Sequence, residues 1–315
     1  MIHKRFQGIN LPKITKKHTL PLILISLFTI ITLTMGAVSA AEWTVGPGGS
    51  YNYNSIQDAI NNQSTLAGDT ITVAPNGTDP YTENVIVNKN NLTIQANGAV
   101  TVSGSSNPSN PVFTVNNQGA YANIIGFILT GATNSAGVLV TGTNNVTLTN
   151  LTINNCHYGV LMTGTSSNII VDGATINGTT GQGILLPHAS WLTNVTINNT
   201  QIINCQSNAI QREWTDGYLN GITIQNTIIT NPKDVGIVLD GNVKPLTNVI
   251  IDNVTINQAK NNGIIILMNN GGSHDLTITQ TTSNNNGDCG VYLENLRGTI
   301  KLENNTFQNN NGWGI

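Results

Sequence analysis

The sequence predicts an all-β solenoid, a stack of coils in which each strand pairs in parallel with its copy one coil later. Three observations carry that expectation. A pattern of apolar, polar, apolar, polar, then asparagine or glycine recurs from Tyr121, Asn145, Asn168, Asn194, Gly221, Asn248, Asp275 and Thr299, at spacings of 24, 23, 26, 27, 27, 27 and 24 residues. Self-similarity of that period marks a repeat architecture. The composition, 9% charged with 49 asparagines and 32 glycines in 315 residues, would suit a disordered chain, yet the apolar residues keep a strict schedule. Finally, each copy holds three short β-branched segments divided by turn residues, which stack on their counterparts ~4.8 Å away rather than close as hairpins.

In chain order, residues 1–40 read as a signal peptide. Lys4, Arg5, Lys13, Lys16 and Lys17 precede an apolar run from Leu20 to Met35, and Val38-Ser39-Ala40 offers a small-residue cleavage site, so the mature chain is expected to begin near Ala41. The competing reading, an uncleaved membrane anchor, meets a run that is short for a span. Removing the segment takes five of twelve basic residues and no acids, which leaves seven against fifteen, a net charge of −8. Such a chain lacks the basic footprint that nucleic acid requires.

Residues 41–120 read as an N-terminal cap and first irregular coils. Ser55-Ile56-Gln57-Asp58-Ala59-Ile60 carries the one helical signal, with Ser55 as N-cap, Asp58 as its capping-box partner, and an apolar face of Ile56, Ala59 and Ile60 suited to covering the open end of a stack. Thr70–Val73, Val85–Val87, Leu92–Ile94, Val100–Val102 and Val112–Val115 follow as strands bounded by Asn, Gly or Pro.

Residues 121–315 are the regular repeats. Counting from the start of each copy, offsets one and three are inward residues such as Val195 and Ile197, and offset eight is the inward residue of a second strand, Ile153, Ile176, Ile202, Ile229 and Ile256 among them. Offset five is Gly126, Asn150, Gly173, Asn199, Asn226, Asn253, Gln280 and Asn304. These residue types, glycine and asparagine above all, tolerate a left-handed backbone, so the column is expected to be a corner. A third strand opens on Gly137-Val138, Gly159-Val160, Gly183-Ile184, Ala209-Ile210, Gly236-Ile237, Gly263-Ile264, Gly290-Val291 and Gly314-Ile315. Because the chain stops as that last strand begins, it is expected to be a fragment of a longer protein or to end against another subunit. Cys156 and Cys205 share a column two coils apart, ~10 Å and too far to bridge, so the cysteines read as small buried thiols.

These residues resemble the right-handed parallel β-helix, or pectin-lyase-like, superfamily. The resemblance lies in the lead-in Thr44-Val45-Gly46-Pro47-Gly48-Gly49, the capping helix, Gly68-Asp69-Thr70-Ile71-Thr72-Val73-Ala74-Pro75, Tyr81-Thr82-Glu83-Asn84-Val85 and the repeats, and so covers residues 43–315. It implies a right-handed β-helix solenoid with a short N-terminal capping helix. The Asn/Thr/Ile-rich sequence further resembles adhesin-like surface proteins of methanogenic archaea, which implies an exported protein. One fold hosts many chemistries, so activity must be sought in particular residues.

Length variation concentrates between the third strand and the next copy, a turn column on a rigid scaffold where sites tend to lie. One coil departs from the pattern there, reading Ala209-Ile210-Gln211-Arg212-Glu213-Trp214-Thr215-Asp216-Gly217-Tyr218. Arg212 falls in an inward slot, where an unpaired guanidinium is costly, so the strand is expected to end early or bulge. Glu213 aligns with Asp240 one coil on, a carboxylate pair able to serve as general acid and base on a polysaccharide, with Arg212 holding a uronate and Trp191, Trp214 or Tyr218 stacking on sugar rings. The competing reading is a solvated turn with ordinary charges. The paired aspartates and Gly-His-Gly of polygalacturonases are absent, and Leu186-Pro187-His188-Ala189 keeps only the Pro-His of the epimerase Asp-Pro-His-Glu. His188 is then a surface residue beside a ligand rather than a base. No cofactor is implied, and His188, His274, Met162 and Met268 do not cluster as metal ligands.

One surface feature favours binding, and a second fits export. The outward residues of the third strand, Leu139, Leu161, Leu185, Gln211, Val238, Ile265 and Tyr292, form a largely apolar stripe that a loop or a partner covers. Ten Asn-X-Ser/Thr sequons (Asn62, Asn76, Asn91, Asn145, Asn150, Asn177, Asn194, Asn198, Asn253 and Asn304) fit an exported glycoprotein. The function expected is therefore adhesin-like binding of a polysaccharide or cell-surface glycan. Any membrane contact would run through an uncleaved N-terminus or a region beyond Ile315. A lyase, hydrolase or epimerase acting on uronate-containing glycans is the alternative.

Overall fold

A computed structural model describes residues 40–213, 217–241, 246–268 and 275–315. They form a parallel β-helix. The third strands make a single nine-stranded parallel sheet from Val85–Val87 to Val291–Glu294, and the first and second strands of the coils run continuously along the other walls.

The repeat alignment read from sequence is the register of the ladder. Ile169 pairs with Val146 and Val195, Val195 with Ile222, Ile222 with Val249, Val249 with Leu276, and Leu276 with Ile300. The second strands stack Leu129, Ile153, Ile176, Ile202, Ile229, Ile256 and Ser283 in order, and the third strands stack Val138, Val160, Ile184, Ile210, Ile237, Ile264 and Val291. These columns point inward and, apart from the terminal Ile300, are buried in one hydrophobic core running along the stack. Ser283 replaces isoleucine at no cost in satisfied bonds, because its Oγ donates to Gly290 O at 2.8 Å and accepts from Asn286 Nδ2 at 3.0 Å.

Each coil turns on left-handed residues in three columns, where the sequence singled out one. The expected corner has φ of 49° at Asn199 and Asn226 and 52° at Asn150 and Asn253. Asn145, Asn168, Asn194 and Asn248 kink the start of the first strand, while Asn155, Asn204 and Asn231 turn the chain out of the second, all with φ between 51° and 56°. Asparagine suits these corners twice over. It tolerates the backbone, and its amide bonds to the coil before: Asn194 Nδ2 donates to Asn168 Oδ1 at 3.0 Å, Asn226 Nδ2 to Asn198 Oδ1 at 2.9 Å, and Asn231 Nδ2 to Asn204 Oδ1 at 2.7 Å.

The glycine that opens the third strand is there for space. A Cβ on Gly183 would lie 2.5 Å from Ile202 Cγ2 and 2.7 Å from the Ala209 carbonyl oxygen, with similar clashes at Gly159 and Gly236.

At the N-terminal end, the helix Ile56–Asn61 buries Ile56, Ala59 and Ile60 against the first strands, as a lid. Ser55 is its N-cap, accepting from Asp58 N at 3.2 Å. The capping acid is Glu83 of the following coil rather than Asp58. Its carboxylate accepts from Ile56 N, Gln57 N and Ser55 Oγ at 2.9–3.0 Å, placing negative charge at the positive end of the helix.

The three cysteines are free and buried. Burial raises the Cys156 and Cys205 thiols to about 11, so they carry little thiolate at neutral pH.

Substitution Asn226→Ala is expected to lower stability by about 1–2 kcal/mol, through the left-handed backbone and the lost bond to Asn198. Asn226→Gly, which keeps the backbone, is expected to cost less. Urea midpoints of the two variants check this.

Candidate functional site

The coil singled out by its sequence stays in register. Arg212 pairs with Leu186 on one side and Leu239 on the other, in the column that also holds Met162 and Ile266, and it is 2% exposed. The strand Ile210–Arg212 ends at Arg212, two residues short of the matching end of Ile237–Gly241, and it does not bulge. The side chain is accommodated because Nη2 donates to Gly217 O at 2.9 Å and Asp240 supplies a favourable charge. Burial still outweighs that charge and lowers the Arg212 pKa to about 10. Nη1 is buried and has no hydrogen-bond partner among the described residues. An arginine enclosed in this way is not presented to a uronate at the surface.

What Arg212 does is hold the variable turn. Gly217 is drawn so close to the preceding coil that a Cβ there would lie 2.0 Å from Ser190 O. Tyr218 follows directly. Its carbonyl accepts from Leu192 N at 2.8 Å and its hydroxyl lies 3.3 Å from Thr193 Oγ1. Those bonds set its ring edge-to-face against Trp191, with centroids 5.3 Å apart and planes at 84°. Trp191 starts a strand, pairs in register with Thr165, and is 48% exposed. The sequence named Trp191 and Tyr218 separately, and the stacking of coils brings them together.

The acids are placed differently. Glu213 follows Arg212 as Asp240 follows Leu239, so the two occupy equivalent positions one coil apart, both half-buried. Glu213 Oε2 accepts from His188 N at 2.9 Å, which ties the carboxylate to the turn after Leu186. His188 itself is exposed, next to Ala189 with φ of 61°. Trp214 lies outside the described residues. Among the described residues, no group of three or more His, Cys, Asp or Glu side chains could hold a metal ion.

The third-strand stripe is interrupted at Leu185 and Gln211. Leu139, Leu161, Val238 and Ile265 are half-buried, Leu185 is buried and Tyr292 exposed. A groove that sequence reasoning missed lies elsewhere, on the outer face of the first strands, where Thr223, Gln225, Ile250, Asp252, Thr279 and Glu303 line about 580 Å³. Its lining residues fall at offsets two and four of the repeat, the side of the first strand opposite the inward offsets one and three.

The fold is a right-handed parallel β-helix, and residues 123–245 match the family model described as the right-handed beta helix region. Among curated proteins, a cell surface glycoprotein of Methanothermus fervidus is 31% identical over 140 residues, which span 44% of this chain and 21% of that protein. Among solved structures, the alginate lyase from Paenibacillus sp. aligns over 84% of this chain and 99% of its own at a TM-score of 0.55 and 16% identity. The family 28 exopolygalacturonase of Yersinia enterocolitica aligns over 84% and 79% at a TM-score of 0.51 and 11% identity. At such identities the two enzymes share the fold with this chain and nothing further is implied.

Arg212→Met is expected to leave stability unchanged or raise it by about 1 kcal/mol, because a side chain matching Met162 in the same column removes the cost of a half-satisfied buried charge. Arg212→Ala leaves a cavity and is expected to lower stability by about 2–4 kcal/mol. In both, amide exchange at Gly217 and Tyr218 should quicken as the tether is lost. Thermal melts and exchange measured on the two variants check the pair of outcomes.

Proposed function

We propose that the chain is the β-helix part of an exported, adhesin-like cell-surface protein that binds a polysaccharide or cell-surface glycan through the turn face of the Arg212 coil. The observation that carries this reading is the Trp191–Tyr218 pair, an exposed indole braced from the side by a second aromatic on a rigid coil. Sugar rings present apolar C–H faces, and a fixed aromatic plane binds them with little loss of side-chain entropy. His188 stands on the adjoining turn. Arg212 serves as a positioning residue, through Gly217. The match to a cell surface glycoprotein supports the location.

The enzymatic alternative rests on Glu213 and Asp240. It is disfavoured by the bond from His188 N, which occupies one Glu213 oxygen on scaffold. Uronate-containing and neutral polysaccharides, assayed for both binding and product release, separate the readings. Binding without turnover is expected, and Trp191→Ala is expected to weaken it about tenfold, or ~1.4 kcal/mol, with an unchanged melting temperature. Product release that disappears in Glu213→Gln or Asp240→Asn would replace the adhesin reading with the enzyme.

Among the sequons, glycans are expected at Asn91 and Asn177, which are exposed and whose Nδ2 atoms make no hydrogen bond among the described residues. Asn198, half-buried with Nδ2 donating to Asp172 Oδ1 at 2.8 Å, is expected to stay unmodified. Peptide mass spectrometry of the exported protein checks the distribution.

A further inference from the structure

The N-terminal cap contains a buried carboxylate without a contacting cation. Asp69 is 2% exposed, and with Arg212 it is one of two buried charged side chains among the described residues. Its oxygens accept from three neutral donors: Ala41 N at 2.8 Å, Trp43 Nε1 at 2.9 Å and Leu66 N at 2.8 Å. The nearest cation is spent elsewhere, since Lys89 Nζ donates to the carbonyls of Asn62 and Thr65. Burial alone would raise the Asp69 carboxyl. The bonds from Leu66, Trp43 and Ala41, with the Lys89 charge, hold it below the ordinary carboxylate range, so the group is an anion in the core. Buried anions are ordinarily paired with a positive charge.

One of the three donors lies at the boundary that the sequence marks for cleavage. Val38, Ser39 and Ala40 are the small residues preceding Ala41, and Ala40 is exposed. Hydrolysis of the Ala40–Ala41 bond by a signal peptidase consumes one water, leaves a carboxylate on Ala40, and turns the Ala41 amide nitrogen into an α-ammonium. That nitrogen already sits 2.8 Å from Asp69 Oδ1, held from its other side by the Ala41 carbonyl, which accepts from Thr70 N at 2.9 Å.

We propose that the processed chain begins at Ala41 and that its α-ammonium pairs with buried Asp69, so that removal of the leader completes the N-terminal cap. Processing thereby brings a positive charge into direct contact with the carboxylate, a contact that Lys89, bonded to the Asn62 and Thr65 carbonyls, does not make. A charge-assisted bond replaces a neutral one at the same position, where Ala41 leads into the strand Glu42–Val45, paired in register with Thr70–Val73. Cleavage one residue to either side would put the ammonium out of reach or remove the donor.

The test uses the chain from Ala41 to Ile315 in two forms, one with a free α-amine and one Nα-acetylated. The acetyl group fits without strain, because it reproduces the part of Ala40 that the structure already accommodates in the open. The exported protein is expected to yield Ala41 as its first residue, and the free-amine form is expected to melt several degrees above the acetylated one. In Asp69→Asn that gap should close. Export with a different first residue, equal melting of the free and acetylated forms, or a gap that persists in Asp69→Asn would overturn the proposal. If Asp69→Asn does not fold, the comparison of free and acetylated chains decides alone.

Discussion

The structure depends on register. A coil of this solenoid has no core of its own, and its apolar residues become buried only when the next coil presents the same columns ~4.8 Å away. Slippage by a single residue would turn every inward side chain of a strand to solvent. The corners prevent slippage. With left-handed residues fixed at three places per coil, and asparagine amides at many of them bonded to the coil before, the lengths of the three walls cannot trade residues with one another. Variation in length is pushed into the turn between the third strand and the next coil, where left-handed residues such as Gly142, Gly164 and Ala189 hold no fixed column.

That division of labour explains the candidate site. The walls around Ile184–Leu186, Ile210–Arg212 and Ile237–Gly241 are ordinary ladder, and what differs is the turn each of them feeds. Arg212 belongs to both worlds: by column it is a core residue, and by its bond to Gly217 it anchors the turn that positions Tyr218 beside Trp191. A charge placed in the core of a repeat is tolerable here because the same side chain organises the surface above it.

Much of the fold was legible in the sequence because each column is printed many times over. Val195, Ile197 and Ile202 could be assigned to the interior, and Asn199 to a corner, from the agreement of eight copies. Features that occur once were harder. The choice of Glu83 over Asp58 as the capping acid depends on how one coil lies against the next, and nothing local to Ser55–Ile60 announces it. Arg212 was read as a break in the strand because the cost of burying it was visible and Gly217 as acceptor was not. Trp191 and Tyr218 stood out as aromatics near a variable turn, but their contact spans 27 residues and exists only through the register of Leu192 with Leu219. Ser190, whose carbonyl packs against Gly217, carried no signal at all.

The run of equal coils has a consequence for how such a protein can change. Asn194, Gly221 and Asn248 begin coils of identical length whose strands pair in register from one coil to the next. A gene segment encoding one of them could be duplicated or lost without disturbing the neighbours on either side. The height of the molecule is in that sense quantised, growing or shrinking by ~4.8 Å steps. A protein built this way could adjust the distance between its two ends by recombination alone, leaving every contact within the remaining coils as it was.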